Sequence, residues 1–509
     1  MTTPTRLLDV APATSRSARR HLGLCALAAL TMLGCSQILG IEDLDSTADG
    51  GVTLPDGPTI DAGTVDASAP DATVVECVDH DQCSGRTPVC DSVGGTCRGC
   101  RDNNDCTALG ADAPICSADG RCGACASDSD CSQDGLNICD PERLVCRGCE
   151  AHSECASEVC DIASGVCVDP NRVVYARPDG SSVADCGTLD TPCRSLTDAV
   201  DQVSFNRRYL RILGTFNTRL TLSAKTVDVI GEGATLDLTP VDFDTAAGIT
   251  VNTGAQVTID GLRVTNLSVG NGIECSDATL TLRQVTSDSH EGNGVNASNC
   301  PLIIQESRIT GNSELGVAAY VPNGDSGNLV IERSLIADNY GGGINSSVTP
   351  LLIRNNLILR NSNLSEYNGA ISLNGTGTDA YITYNTIVGN RVNDAYIGII
   401  QCGSAVLSSN IIWGNEWPPS PDDQTLSLDC TQVRNNVSDS TLNDISNNVL
   451  GDPLLVAPAM DDYHVMPNSP AIDRGEAGLA NLFDYAGNPR PQGAGPDVGA
   501  FEMPPPPSP

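Results

Sequence analysis

Aromatic residues and positive charge are both scarce in this 509-residue sequence. Phe, Trp and Tyr together make up 3% of it, which is little for a domain with one compact core, because aromatic side chains supply much of the buried surface of such cores. Lys225 is the only lysine, and the formal net charge is −36. Nucleic acid and anionic membrane faces would be repelled by this charge, so neither is expected as a direct partner.

The apolar stretch nearest the start, 22–33, is shorter than the roughly 20 residues that a membrane-spanning helix needs. It follows Arg16, Arg19 and Arg20 and ends at Gly34-Cys35, an order that predicts a signal peptide over residues 1–34. A small residue followed by Cys after such a stretch resembles the lipobox of bacterial lipoproteins. The resemblance implies that Cys35 is lipidated and anchors an exported chain in the outer membrane, exposed at the cell surface. Ordinary signal-peptide cleavage without lipidation is the alternative.

Residues 35–76 have no hydrophobic periodicity and are rich in Asp, Ala, Gly, Thr and Pro. A segment of this composition cannot bury enough apolar surface to fold. We therefore expect a disordered acidic linker between the lipid and the folded body, with the lipid as the only contact to the membrane.

Cysteines recur in residues 77–168 as four units of about 24 residues. Each unit is too small for a core of its own, so two disulfides per unit are expected to stabilise it. The C-x-x-C pairs at the unit junctions could also hold zinc or exchange thiols. Because these pairs straddle the unit boundaries of an exported chain, structural disulfides are favoured, and no metal or cofactor is predicted.

His80 and His152 lie in the first and fourth units, and the other two units show no matching histidine. The array is similar to the small disulfide-rich repeats of surface proteins.

A second repeat begins after residue 171. Five coils share one register in which an apolar strand is followed by Ser or Asn, then Ile, then Asn. The last position of the register forms a predicted structural ladder of Asn312, Asn339, Asn361, Asn390 and Asn415. Alternating apolar residues point inward along short strands, equivalent side chains stack about 4.8 Å apart, and Asn tolerates the left-handed geometry of a tight turn. The fold class predicted is mainly β: a right-handed parallel β-helix, a single-stranded solenoid, over residues 171–503.

The two ends of this region carry resemblances to known families. The strand, the turn with Thr191-Pro192-Cys193 and the amphipathic helix near 196–203 resemble the N-terminal helical cap of pectate-lyase-like β-helix proteins. Residues 463–502 resemble the terminal segment of the choice-of-anchor group of β-helix surface proteins, which implies a C-terminal cap that closes the helix, followed by a tail over 504–509. Three disulfides are expected from neighbouring positions in the loops and coils: Cys186–Cys193, Cys275–Cys300 and Cys402–Cys430.

Catalytic signatures of polysaccharide-cleaving β-helices are weak. Hydrolases need two carboxyls that flank the glycosidic bond, but Asp422-Asp423 and Asp461-Asp462 lie outside the coil register. Lyases need a base beside a carboxylate cluster. Arginines do occur on the coils, and the sequence shows no acidic triad near them; they are Arg283, Arg308, Arg333, Arg354 and Arg360. His290, between Asp288 and Glu291, is the best candidate base, although a polar turn outside the solenoid is the favoured interpretation.

Two functions remain open. The favoured one is a non-catalytic surface platform that binds a polysaccharide of the cell wall or surroundings, or another surface protein. The alternative is a polysaccharide lyase or glycoside hydrolase. Acids, or arginines with acids, gathered in one groove and flanked by exposed aromatic residues would favour the enzyme.

Overall fold

The computed structural model describes residues 77–504, with short gaps. The gaps are 85, 92, 110–112, 132–134, 240–245, 322–326, 364–367, 376, 378, 394–397, 417–426, 429, 431, 443–445 and 482. The predicted signal peptide, Cys35, the acidic linker and Asp422-Asp423 lie outside the described residues. The described part belongs to one compact unit, 74–509. Within it, no helix combines the length and the apolar character needed to cross a membrane.

Three parallel sheets run the length of the solenoid, with eleven, eleven and nine strands in the described part of the chain. The first sheet contains Val173–Ser181, Tyr209–Ile212, Thr226–Ile230, Gln256–Asp260, Thr279–Arg283, Leu302–Gln305, Leu329–Glu332, Leu351–Arg354, Ala380–Thr383, Val406–Ser408 and Gln432–Arg434. The second contains Thr215–Phe216, Thr235–Asp237, Arg263–Thr265, Thr286–Asp288, Arg308–Thr310, Leu335–Ala337, Leu357–Leu359, Thr386–Val388, Ile411–Trp413, Val437–Ser438 and Val449–Leu450. The third contains Leu220–Ser223, Ile249–Asn252, Ile273–Ser276, Val295–Ser298, Val317–Tyr320, Ile344–Ser346, Ile371–Leu373, Ile400–Gln401 and Ser427–Leu428.

The remaining elements lie outside these sheets. Antiparallel hairpins pair Val89–Asp91 with Thr96–Arg98, Ile115–Cys116 with Cys122–Gly123, Ile138–Asp140 with Val145–Arg147, Cys160–Asp161 with Val166–Cys167, and Leu455–Ala457 with Asp462–Val465. A short parallel pair joins Ser362–Asn363 and Arg391–Val392. The α-helices are Asn103–Thr107 and Leu196–Gln202, and the 3-10 helices are His80–Gln82, Asp128–Asp130, His152–Glu154, Pro170–Arg172, Pro458–Met460 and Ala477–Leu479.

The core is built from alternation along each strand. In the strand Leu302–Gln305, Leu302 and Ile304 are fully buried in the interior, while Ile303 and Gln305 face outward. Each side chain stacks on its counterpart in the next coil, since the strands pair in parallel without a register shift. One continuous apolar interior results, as the predicted register requires.

The N-terminal end of the solenoid is covered by the helix Leu196–Gln202. Ser195 caps this helix, because its Oγ accepts a hydrogen bond from the Asp198 amide at 3.4 Å. Leu196 and Ala199 are buried against the first coils, and the Cys186–Cys193 disulfide closes the loop before the helix. The apolar cross-section of the first coil is thereby shielded from water.

Disulfides in the cysteine array connect the first cysteine of each unit to the third and the second to the fourth. The pairs are Cys77–Cys90, Cys83–Cys97, Cys100–Cys116, Cys106–Cys122, Cys125–Cys139, Cys131–Cys146, Cys149–Cys160 and Cys155–Cys167. The C-x-x-C cysteines at the junctions are therefore bonded within their own units and not to each other.

Both array histidines have a structural role that the other two units fill with different residues. His80 and His152 accept a hydrogen bond at Nδ1 from the amide of the third cysteine, each at 3.0 Å. In the second unit Asn103 Oδ1 accepts the same bond at 2.9 Å, and in the third unit Asp128 Oδ1 accepts it at 2.8 Å. The other two units lack a histidine but keep this hydrogen bond, because the position selects an acceptor atom and not a residue type.

The fourth cysteine unit packs on the outer face of the first sheet. Val159 and Val168 form a buried cluster with Val173, Tyr175, Tyr209 and Ile230 of the solenoid. The Tyr175 hydroxyl donates to the Ser157 carbonyl at 2.8 Å, and burial raises the pKa of Tyr175 to about 12. The array is thus attached to the solenoid by a packed interface at its last unit.

The C-terminal segment, 455–503, lies along the side of the solenoid. Its Leu455, Tyr463, Val498 and Phe501 form a cluster with outward-facing residues of the second sheet, including Leu357. These outward positions are polar in the early coils, as in Arg263–Thr265, and apolar in the later coils, as in Leu335–Ala337. The segment was expected to close the end of the helix, and the contacts of this cluster are lateral, because these later coils present an apolar outer face that needs cover.

Candidate functional site

The predicted asparagines form a buried ladder between the second and third sheets. In the three inner members, Asn339, Asn361 and Asn390, the amide oxygen accepts two hydrogen bonds from the coil before it, and the amide nitrogen donates to the coil after it and to a strand carbonyl. Asn361 Oδ1 accepts from Asn339 N at 3.2 Å and from Asn339 Nδ2 at 2.9 Å, while Asn361 Nδ2 donates to Ile336 O at 2.8 Å and to Asn390 Oδ1 at 3.0 Å. The remaining members are buried in the same way: Asn312, Asn339, Asn390 and Asn415. The ladder satisfies polar backbone at the turn and has no free atom for chemistry.

A second ladder, not singled out from the sequence, lies on the other side of the second sheet. Its members are Ser307, Ser334, Asn356, Asn385, Asn410, Asn436 and Asn448. These residues occupy the Ser/Asn position of the shared register, so the signal was present in the spacing.

Left-handed backbone occurs one residue before each ladder position and not at the ladder asparagine itself. Arg360 (φ 51) precedes Asn361 and Gly389 (φ 68) precedes Asn390. The prediction that Asn supplies the left-handed geometry was therefore wrong. Asn is required for its buried amide. Glycine before the third-sheet strands leaves room for this amide, because a Cβ on Gly294 would lie only 2.7 Å from Asn312 Nδ2.

His290 occupies the ladder position of the coil before Asn312 and is 1% exposed. Its Nδ1 accepts from the Leu267 amide at 3.3 Å, and its amide donates to Asn312 Oδ1 at 3.2 Å. Nε2 faces the Val264 carbonyl without reaching ordinary hydrogen-bond geometry. The prediction of a polar turn outside the solenoid was wrong, because the imidazole replaces a ladder amide in the interior. As a buried group it is also out of reach of a polymer substrate.

Charged residues collect on the outer face of the first sheet. The last residues of neighbouring strands stack in register: Asp260, Arg283, Gln305, Glu332 and Arg354. The turn residues that follow three of these strands stack beside them: Gln284, Glu306 and Arg333. We call these eight residues the first-sheet row. Three of the coil arginines each have one acid beside them, which the sequence did not indicate: Asp260, Glu306 and Glu332. The acids were missed because they belong to neighbouring coils, far apart in sequence.

Every arginine of the first-sheet row is paired with one of these acids. Arg283 Nε lies 3.8 Å from Asp260 Oδ2, Arg333 binds Glu306, and Arg354 binds Glu332. Gln284 Nε2 also donates to Glu306 Oε2 at 3.1 Å. Since the guanidinium and carboxylate groups neutralise each other, the row presents planar hydrogen-bonding groups and no unpaired base.

The fourth cysteine unit turns the first part of this row into a groove. The groove has a volume of about 440 Å³ and lies between the unit and the sheet. Its lining residues are Glu150, Ala151, His152, Ile162, Glu232, Asp260, Arg283, Gln284, Gln305, Glu306 and Arg333. His152 Nε2 lies 3.8 Å from Asp260 Oδ2 and joins the two walls. The groove gathers arginines with acids, which is one of the two features expected of an enzyme. The other feature, exposed aromatic residues, is missing from this lining in the described part of the chain.

The other predicted residues lie away from the groove. Arg308 faces outward on the second sheet, and Arg360 pairs with Asp338 and Asp461 at 2.9 and 2.7 Å. Asp462 contacts His464 at 2.7 Å on the C-terminal hairpin. Cys275–Cys300 and Cys402–Cys430 are disulfides between neighbouring coils. The sequence-predicted residues therefore do not converge on one site.

Comparison with known proteins gives two family matches. Residues 229–387 match the model of a right-handed beta helix region, and residues 64–173 match that of a family of unknown function, DUF8331. The chain contains a right-handed parallel β-helix. The fold class predicted from the sequence is confirmed. The disulfide-rich region before the solenoid coincides with the second match.

No curated protein matches the chain. Among solved structures, it is similar to pectate lyase Pel9A, with 16% identity and a TM-score of 0.44 over 66% of this chain and 97% of that one. It is also similar to tailspike protein 3 of bacteriophage CBA120, with 11% identity and a TM-score of 0.21 over 55% of this chain and 60% of that one.

Proposed function

We propose that this protein is an exported surface lipoprotein, anchored in the outer membrane through Cys35, whose β-helix binds polysaccharide in the groove without cleaving it. The observation that carries the proposal is the pairing of each arginine in the first-sheet row with an acid from a neighbouring coil. Paired planar groups bind vicinal hydroxyls through two hydrogen bonds at once, whereas proton abstraction needs an unpaired base.

The charge of the groove favours a neutral glycan. Its lining holds four carboxylates, Glu150, Glu232, Asp260 and Glu306, against the guanidiniums of Arg283 and Arg333. A polyuronate would be repelled by this excess of negative charge. A neutral polysaccharide is not repelled by these carboxylates and can follow the groove across successive coils.

Replacing Arg333 with glutamine is expected to weaken binding of a neutral polysaccharide about tenfold, because one charged donor is lost and Glu306 is left without a cation. Binding to a panel of glucans, galactans and polygalacturonate can be measured by affinity electrophoresis. Arg391→Gln is the matched control, since Arg391 pairs with Glu416 at an exposed position outside the groove lining. Equal affinity of the two variants would contradict the assignment of the groove. Release of unsaturated uronides or reducing ends by the wild-type protein would show an enzyme instead.

The lipid anchor has a separate test. Labelled palmitate is expected to enter the wild-type chain and Cys25→Ala, and to be lost in Cys35→Ala, because only the thiol that follows the cleavage site accepts the lipid. The labelled chain should fractionate with outer membranes. A wild-type chain that carries no label would contradict the anchor and leave the groove proposal unaffected.

A further inference from the structure

His290 is the one member of the ladder position that can change its hydrogen-bonding role. An asparagine amide oxygen accepts hydrogen bonds at every pH. An imidazole nitrogen accepts only while it is unprotonated. His290 Nδ1 accepts from the Leu267 amide, so a proton on Nδ1 would place two N–H groups face to face inside the solenoid.

The surroundings of His290 hold the ring neutral. Burial lowers the pKa of His290 to about 4, and the negative charge of Asp288 opposes this shift without cancelling it. Asp288 is itself held by Arg263, at 2.9 and 2.8 Å, and by Thr265 Oγ1 at 3.0 Å. Although burial opposes ionisation of Asp288, these bonds outweigh it and lower the pKa of that carboxyl. Glu291, the other charged neighbour in the turn, is exposed.

The bond from Leu267 to His290 joins two particular coils. Leu267 belongs to the coil that contains Asp260, and His290 belongs to the coil that contains Arg283. Both of these coils line the groove. A break at His290 therefore lies in the same two coils as the groove, at their turn between the second and third sheets, and separates the coil that His152 contacts through Asp260 from the coils that continue the first-sheet row.

We propose that His290 is an acid-sensitive junction of the solenoid: its protonation breaks the ladder between the Gln256–Asp260 and Thr279–Arg283 coils and loosens these two coils, which line the groove. The break itself depends only on the ladder geometry. The expectation that this break weakens glycan binding rests on the proposed function.

The direction of the effect follows from linkage. In an open or unfolded coil the histidine has its ordinary pKa near 6.5, whereas the closed coil binds the proton only near pH 4. The stabilising contribution of neutral His290 is thus complete above about pH 6.5 and is lost as the pH falls toward about 4. Between about pH 7.5 and about pH 5, the opening equilibrium of this coil should increase about 30-fold.

His290→Asn tests the proposal with the residue that the ladder itself uses. Amide hydrogen exchange, corrected for its intrinsic pH dependence, is measured in peptides that cover 262–291. In the wild-type protein, protection should fall about 30-fold between about pH 7.5 and about pH 5; in His290→Asn it should change little. His152→Asn is the control, because Asn103 fills the same position in the second unit. This variant should keep the wild-type acid response in 262–291.

Two results would overturn the proposal. One is an equal loss of protection in wild type and His290→Asn. The other comes from the wild-type protein alone, should the variant fail to fold: deuterium exchange at the His290 ring carbon, followed by mass spectrometry, would give an ordinary pKa near 6.5. Glycan binding at both pH values separates the two proposals. If acid loosens 262–291 but no polysaccharide binds at either pH, the junction stands and the proposed function fails.

Discussion

Replacing Asn361 with alanine should cost at least about 4 kcal/mol of unfolding free energy. The substitution removes the side chain that satisfies four buried groups: the amide and side-chain nitrogens of Asn339, the carbonyl of Ile336 and the side-chain oxygen of Asn390. Asn361 is 1% exposed, so water cannot replace these bonds without opening the coil.

Urea unfolding of the mature chain measures this cost, with Asn374→Ala as the control. Asn374 is an exposed asparagine that bonds Asn345 on the surface, and its loss should change stability by no more than about 0.5 kcal/mol. If the two variants lost the same free energy, the ladder would be a consequence of the fold and not one of its main stabilising features.

Replacing Arg490 with methionine should cost about 3–5 kcal/mol. The guanidinium is fully buried, pairs with Glu502 at 3.0 Å, and donates to the carbonyls of Asp497 and Gly499 at 2.8 and 2.7 Å. It also lies over the ring of Tyr384, 4.9 Å from the centroid. Without it, Glu502 is a buried carboxylate with no cation, and the C-terminal segment should detach from the second sheet.

Limited proteolysis between residues 455 and 503, together with binding of a hydrophobic dye, reports this detachment. Burial raises the pKa of Glu502, and loss of Arg490 raises it further. The folded state of the variant therefore takes up a proton more readily than the unfolded state. Its deficit relative to wild type should shrink as the pH falls through the raised pKa. The double variant Arg490→Met/Glu502→Gln should recover much of the loss. A deficit that is unchanged by pH and by the second substitution would contradict the role of the ion pair.

The spacing of the sequence was enough to predict the solenoid, because strand, turn and ladder positions repeat along the chain. Leu302, Ile304, Ile309 and Asn312 take the places that their register requires. The order of strand, turn and ladder positions can be recognised within the sequence of a single coil. The helical cap at Leu196–Gln202 was visible for the same reason, since its amphipathic pattern lies in one short segment.

Contacts between segments that are distant in sequence could not be predicted in this way. Glu306 and Arg333 meet only because coils of unequal length bring them into register. The C-terminal segment covers the second sheet through contacts such as that between Tyr384 and Glu476, which join parts of the chain 92 residues apart. His290 was misplaced for a different reason. Its acidic neighbours suggested a surface turn, whereas the ladder position decided where the ring lies.

Both ladders run head to tail, so that each coil inside them offers acceptors to the coil before it and donors to the coil after it. A whole coil is therefore interchangeable with its neighbours as far as the buried amides are concerned. Gaining or losing one coil changes the length of the solenoid by about 4.8 Å and leaves no interior amide without a partner. Insertion of a few residues within a strand would shift the register and break both ladders. The reach of such a body can thus vary in single coil steps while its cross-section stays fixed.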